Sequence, residues 1–158
     1  MLARRLLLGA VAGATGTAVL NLTTYLDMAI RARPSSQMPA EAADELTDKV
    51  GLPLAGEDDG DEAAQARKTA LGALFGFATG IGLGASFGAL RPALRSVPTS
   101  VLAAGVGLSA TVASSGPLVA LGLTDPTEWG AEGWVSDLVP HLAYGLATVL
   151  VHDALDLE

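Results

Sequence analysis

Three stretches of the chain, Leu6 to Leu26, Thr69 to Leu90 and Pro98 to Thr124, contain no Lys, Arg, Asp or Glu. A fourth apolar stretch, Val135 to Leu155, carries acids and histidines only at Asp137, His141, His152 and Asp153. A hydrocarbon layer about 30 Å thick takes about 20 helical residues to cross. The pattern therefore predicts an all-α integral membrane bundle, a single domain of four transmembrane helices at about 6–30, 69–90, 98–123 and 135–155. Pro117 lies deep in the third of these and predicts a kink. Pro140 is placed near the start of the fourth, where a first helical turn has no internal partner for the missing N–H.

The long connection, 32–68, has its own pattern. From Pro39 to Val50 a proline in the first turn, Glu41 at the positive helix end and apolar Ala42, Leu46 and Val50 at four-residue steps predict a short amphipathic helix at 39–50, stopped by Gly51. It is expected on the membrane surface or capping the bundle. The run Gly56-Glu-Asp-Asp-Gly-Asp-Glu62 follows. It lacks the ligand order and distal Glu of an EF-hand and reads as a solvated acidic linker. At the N-terminus, Met1 to Arg5 and the apolar run after them have the form of a signal peptide. Asn21 and Asp27 interrupt the run late, and the segment is read as an uncleaved first span.

Composition supports lipid as the solvent. Half the residues are apolar and only 16% are charged, against about 25% in soluble domains. No cysteine is present, which excludes disulfides, thiolate metal sites and a cysteine nucleophile. The net charge of −8 resides mostly in connecting segments and argues against nucleic acid as a partner. No pattern calls for a metal or a cofactor. Basic residues divide between the side holding the N-terminus (Arg4, Arg5, Arg91, Arg95) and the other side (Arg31, Arg33, Lys49, Arg67, Lys68). The loop after the third span has neither Lys nor Arg, and the first span often dominates orientation, so both termini are expected in the cytoplasm. Trp129 and Trp134, near the start of the fourth span, fit interfacial anchors; a binding platform is the alternative.

Within the second span, Gly72, Gly76, Gly80, Gly84 and Gly88 recur every four residues. Lipid offers little hydrophobic drive for helices to associate, so small residues that let backbones approach supply the contact. The stripe predicts a central, tightly packed second helix. Shorter pairs, Gly9 with Gly13 and Ala103 with Gly107, extend the pattern to the first and third spans. The same face shared between copies would make a homo-oligomer, so the partners expected are the bilayer and either other membrane subunits or the chain itself.

Ionisable groups at membrane depth are costly and face inward. Asp137, His141, Thr148 and His152 share one face of the fourth helix, with Tyr144 beside them. Depth matching adds Asn21 and Asp27 from the first span, giving a candidate polar cluster of Asn21, Asp27, Asp137, His141 and Tyr144, with Arg31 or Arg33 reaching back to one carboxylate. Its readings are hydrogen-bonded glue between helices, a proton or ion path through Asp27, Asp137 and His141, or a nucleophile pair of His141 with Ser114 or Ser115. His141 and His152 lie about 16 Å apart along a helix and cannot share a metal. The match Gly84-Ala-Ser86-Phe-Gly88 to G-x-S-x-G falls inside a span and is a product of the glycine stripe. His152 and Asp153 are expected at the cytoplasmic interface.

Two segments, Tyr25 to Ser36 and Trp129 to Gly145, resemble small four-helix multipass membrane proteins of high-GC Gram-positive bacteria. The resemblance covers most of the chain. It implies a bacterial plasma-membrane location and no established activity, and it carries no catalytic residue across. The functional expectation is a non-enzymatic accessory or structural subunit, with a small transporter or channel as the alternative.

Overall fold

The computed structural model describes residues 1–52, 54 and 60–156, and these form helices only. Five α-helices follow one another: α1 (Leu2–Arg31), α2 (Met38–Lys49), α3 (Asp61–Leu90), α4 (Thr99–Ala120) and α5 (Ala131–Leu155). Short 3₁₀ turns at Arg91–Leu94 and Pro126–Glu128 precede α4 and α5. α1, α3 with its following turn, α4 and α5 are long and apolar enough to cross a membrane. Residues 56–59 of the acidic linker lie outside the described residues.

The helix boundaries depart from the apolar spans for local reasons. α3 reaches back to Asp61, with Gly60 extended at its N-cap and two acids, Asp61 and Glu62, complementing the positive helix end. α5 starts at Ala131, after Gly130. Asp137 and Pro140 are therefore interior residues, and neither occupies the first turn expected from the sequence. Pro140 removes the N–H that would bond to the Ser136 carbonyl, and Pro117, inside α4, does the same to Ala113.

Neighbours run antiparallel in the order α3–α1–α5–α4, and α3 meets α4 near the turn joining them. There Phe87, Leu102, Ala103 and Val149 form a small apolar core with Leu94, Val97 and Val106 against it. α1 and α5 each pack along two neighbours; α3, expected at the centre, packs along α1, meets α4 at one end and carries α2 on its other side.

Backbone meets backbone along the α1–α3 seam. A methyl group at Gly84 would collide with the Gly9 carbonyl and with the Gly13 main chain, one at Gly13 with the Gly80 carbonyl, and one at Gly88 with the Arg5 carbonyl. Gly80 faces Thr17, and Gly72 lies against the main chain of Pro39 at the start of α2. Gly76 differs: it is exposed and faces open space. Its four-residue spacing keeps it in the series, but the stripe winds about 40° per step and no helix stands opposite it. Two further seams use glycines outside that stripe. Gly145 of α5 meets Ala103 and Gly107 of α4, and Gly16 of α1 meets Tyr144 and Thr148 of α5.

α2 packs through Ala40 and Ala43, both buried, and the Lys68–Asp44 ion pair, 2.5 Å, fastens it to α3. The apolar positions singled out from spacing do not make that face: Ala42 is half-buried, while Leu46 and Val50 are exposed. Small residues win because the α3 surface at Gly72 admits close backbone approach.

Candidate functional site: polar groups of α5 and its neighbours

Four of the five residues of the expected polar cluster fall into three hydrogen-bonding groups. At the end of the bundle that carries α2, Asp27 receives Arg31 through two hydrogen bonds, 2.6 and 2.5 Å, and Arg33 through one of 2.6 Å. Arg31 also reaches Glu132 at 3.0 Å and Ser136, tying α1 to α5. Both candidate arginines thus serve one carboxylate. Asn21 is half-buried on α1 and belongs to none of these bonds.

The second place lies between α4 and α5. His141 Nδ1 is 2.7 Å from the Asp137 main-chain carbonyl, and its Nε2 is 2.9 Å from Ser114 Oγ. The Asp137 carboxylate lies 3.6 Å from Nδ1 and accepts a long bond, 3.4 Å, from Ser115. Its second oxygen is buried with no partner among the described residues, as is the hydroxyl of Thr111. The antiparallel register set by Gly107 against His141 and Leu142 puts Thr111 level with Asp137. Asp137 sits too far into α5 to cap free N–H groups, and its contacts are with His141 and Ser115.

The third place is the core. Tyr144, 1% exposed, donates a 2.7 Å hydrogen bond to the Gly80 carbonyl of α3. Thr17 of α1, also buried, satisfies its hydroxyl on the Gly13 carbonyl at 2.9 Å. One turn along α5, Thr148 is fully buried, and a further turn on His152 is 1% exposed; among the described residues neither the Thr148 hydroxyl nor either ring nitrogen of His152 has a hydrogen-bond partner. Its ring meets the edge of Phe87 at 5.2 Å. His152 is thus buried within the bundle, its ring against Phe87 of α3, while Arg91 on the turn after α3 clamps Asp153 with bonds of 2.7 and 2.8 Å. Its burial was not legible because nothing in α5 alone reveals what α3 lays over that end.

Ser86, the centre of the G-x-S-x-G match, donates to the Gly82 carbonyl at 2.8 Å on an exposed helix face and has no histidine beside it. Trp129 and Trp134 are in contact, their ring centroids 5.1 Å apart, and Trp129 Nε1 donates to Thr124 at 2.8 Å.

Asp125, in the same loop as the tryptophans, accepts bonds from the Thr127 hydroxyl at 2.7 Å and main-chain N–H at 2.9 Å. These bonds hold its carboxyl below the usual carboxylate range. A depressed folded-state pKa means that the contribution is complete at neutral pH and is lost as pH falls through the lowered value. The acid-induced change in tryptophan emission that Asp125 contributes is therefore expected at lower pH than an unpaired aspartate would give. In Asp125→Asn that acid step should disappear from a fluorescence titration.

Removing the Tyr144 hydroxyl tests the core. Tyr144→Phe keeps the ring and loses one neutral hydrogen bond, so it should lower stability by about 1 kcal/mol, read from equilibrium unfolding in detergent. Comparison with protein-family models, with curated proteins and with solved structures finds no match.

Proposed function

We propose that this chain is a non-enzymatic integral membrane protein of the bacterial plasma membrane, an accessory or structural subunit of a membrane assembly or a self-associating bundle. One observation carries the bilayer placement: the ion pairs form two belts. Arg4–Asp156 and Arg91–Asp153 lie at the end with both termini, and Asp27–Arg31, Asp27–Arg33 and Lys68–Asp44 at the other. From Arg4 to Asp27 on α1, and from Lys68 to Arg91 along α3, the rise is about 35 Å at about 1.5 Å per residue. That distance fits a hydrocarbon layer about 30 Å thick with headgroups at its edges. Between the belts most outward residues are apolar, among them Val11 on α1, Phe75 on α3, Val112 on α4 and Leu146 on α5, all exposed, with Ser86, Ser109 and Ser114 as exposed hydroxyls among them.

The chain is free of cysteine, so single cysteines report topology without background. In whole cells, Ser35→Cys is expected to react with a membrane-impermeant maleimide, and Ser96→Cys only after lysis. The reverse pattern would place the termini outside. Release of the protein by carbonate would remove the bilayer placement altogether.

A second reading, a small transporter or channel using Asp27, Asp137 and His141, draws on one observation: Asp137, His141, Tyr144, Thr148 and His152 follow one another along α5 with several unpartnered polar atoms. Proteoliposomes measure it. Proton or ion flux lost in His141→Ala with folding intact would support it, and no flux in the wild type would end it.

A further inference from the structure

We infer that Ser114 is an activated nucleophile open to the lipid phase, able to accept an acyl group from a glycerolipid ester, with His141 as its base. The tautomer follows from the partners. A main-chain carbonyl only accepts, so His141 Nδ1, 2.7 Å from the Asp137 carbonyl, carries the proton. Nε2 of the neutral ring is then a lone pair, and at 2.9 Å from Ser114 Oγ it takes that hydroxyl's proton. This is the arrangement nucleophilic serine chemistry needs: nucleophile and base in hydrogen-bond contact, the base oriented by a third group.

A carboxyl group stands beside the base, Asp137 Oδ1 lying 3.6 Å from Nδ1. Ser114 Oγ also lies 3.1 Å from the Thr111 carbonyl, which holds the hydroxyl when Nε2 is already protonated.

Access selects the substrate. Ser114 is exposed, and the His141 side chain retains 12% exposure. Given the bilayer placement proposed above, what reaches them is lipid. Ser114 is six residues from the end of α4 at Ala120, about 9 Å along the axis, close to the depth at which acyl ester carbonyls lie. In the step, Ser114 Oγ attacks the ester carbonyl carbon while its proton passes to His141 Nε2. The tetrahedral intermediate collapses with cleavage of the acyl C–O bond, and the proton leaves with the alkoxide as lyso-lipid alcohol. Ser114 keeps the acyl group as an ester, a single stoichiometric self-acylation without turnover and with no net oxidation or reduction.

Two other serines on exposed helix faces provide controls inside the same molecule. Ser109 on α4 and Ser86 on α3 each donate to their own helix carbonyl at 2.8 Å and have no histidine partner. The full-length protein, in detergent and in phosphatidylglycerol nanodiscs, is treated with a long-chain alkyl fluorophosphonate and mapped by peptide mass spectrometry. A general base is worth about 10²–10⁴-fold, so modification at Ser114 is expected at least about 100-fold faster than at Ser109 or Ser86. His141→Ala should bring it down to their level. Equal rates at the three serines of the wild-type protein, a comparison independent of any variant's folding, would overturn the inference. So would a rate at Ser114 unchanged by His141→Ala in protein with wild-type unfolding behaviour. Carbonate extraction is read in parallel, so failure of the bilayer placement is told apart from failure of the nucleophile.

Discussion

Gly84→Ala is expected to cost this protein more stability than any other single methyl group added to the glycine stripe, and Gly76→Ala nothing. The two sites share a helix, a residue type and a place in the same four-residue series, so intrinsic propensity favours alanine at both, by up to about 1 kcal/mol in water. What differs is the space. The added carbon at Gly84 would meet only main-chain atoms, the Gly9 carbonyl and the N and Cα of Gly13. Main chain cannot turn aside as a side chain does, so α1 and α3 must separate. Overpacking costs about 1–3 kcal/mol where side chains can adjust; here a loss of at least about 2 kcal/mol is expected, with Gly84→Leu dissociating the seam. Gly76 faces open space, and its alanine should fall within about 0.5 kcal/mol of wild type or be slightly more stable. Equilibrium unfolding in a mild detergent measures both. Equal losses at the two positions would mean that the stripe acts through helix propensity rather than through the α1–α3 contact.

The contrast between these two glycines also marks how far the sequence could be read. Uncharged runs identify four long helices because hydropathy and length are properties of each segment alone. Helix ends are different. The turns from Asp61 to Lys68 are helical but polar, so a reading keyed to apolarity starts α3 at Thr69, and α5, which begins after Gly130, acquires a false first turn at Asp137. The stripe itself was visible, but its partner was not. Gly9 and Gly13 hinted at α1, whereas Gly16 and Gly145, each buried against another helix, stand outside any regular series. Pairing is a property of two segments, and spacing within one of them cannot reveal it.

The polar cluster shows the same limit. Depth matching correctly grouped Asp27 with Arg31 and Arg33, which are neighbours in sequence, and His141 with Ser114 was among the pairs considered. It also joined Asp27 to Asp137 and Tyr144, with which Asp27 shares no hydrogen bond among the described residues, because depth leaves open which side of a helix faces which neighbour. Thr111 escaped notice because a lone threonine in an apolar helix ordinarily bonds to its own backbone. Only the packed structure reveals that its hydroxyl has no partner.

His152→Leu is expected to stabilise the protein, with a sign opposite to that of Tyr144→Phe two turns away on the same face. Both side chains are about 1% exposed. Tyr144 has a good acceptor in the Gly80 carbonyl, whereas neither nitrogen of His152 has a hydrogen-bond partner, the nearest carboxylate oxygen, on Asp153, being 3.5 Å from Nδ1. Each orphaned buried polar atom costs about 1–3 kcal/mol. Leucine of similar volume abolishes both orphans and gives up an edge contact with Phe87 worth about 0.5–1.5 kcal/mol. The polar term is the larger, so a net gain of at least about 0.5 kcal/mol should appear in equilibrium unfolding. A loss would show that the Asp153 approach is a working hydrogen bond, and that the Arg91–Asp153 clamp holds His152 as a third member. A gain would show that a buried imidazole is kept at a cost to stability, the pattern expected of a group retained for what it does rather than for what it supports.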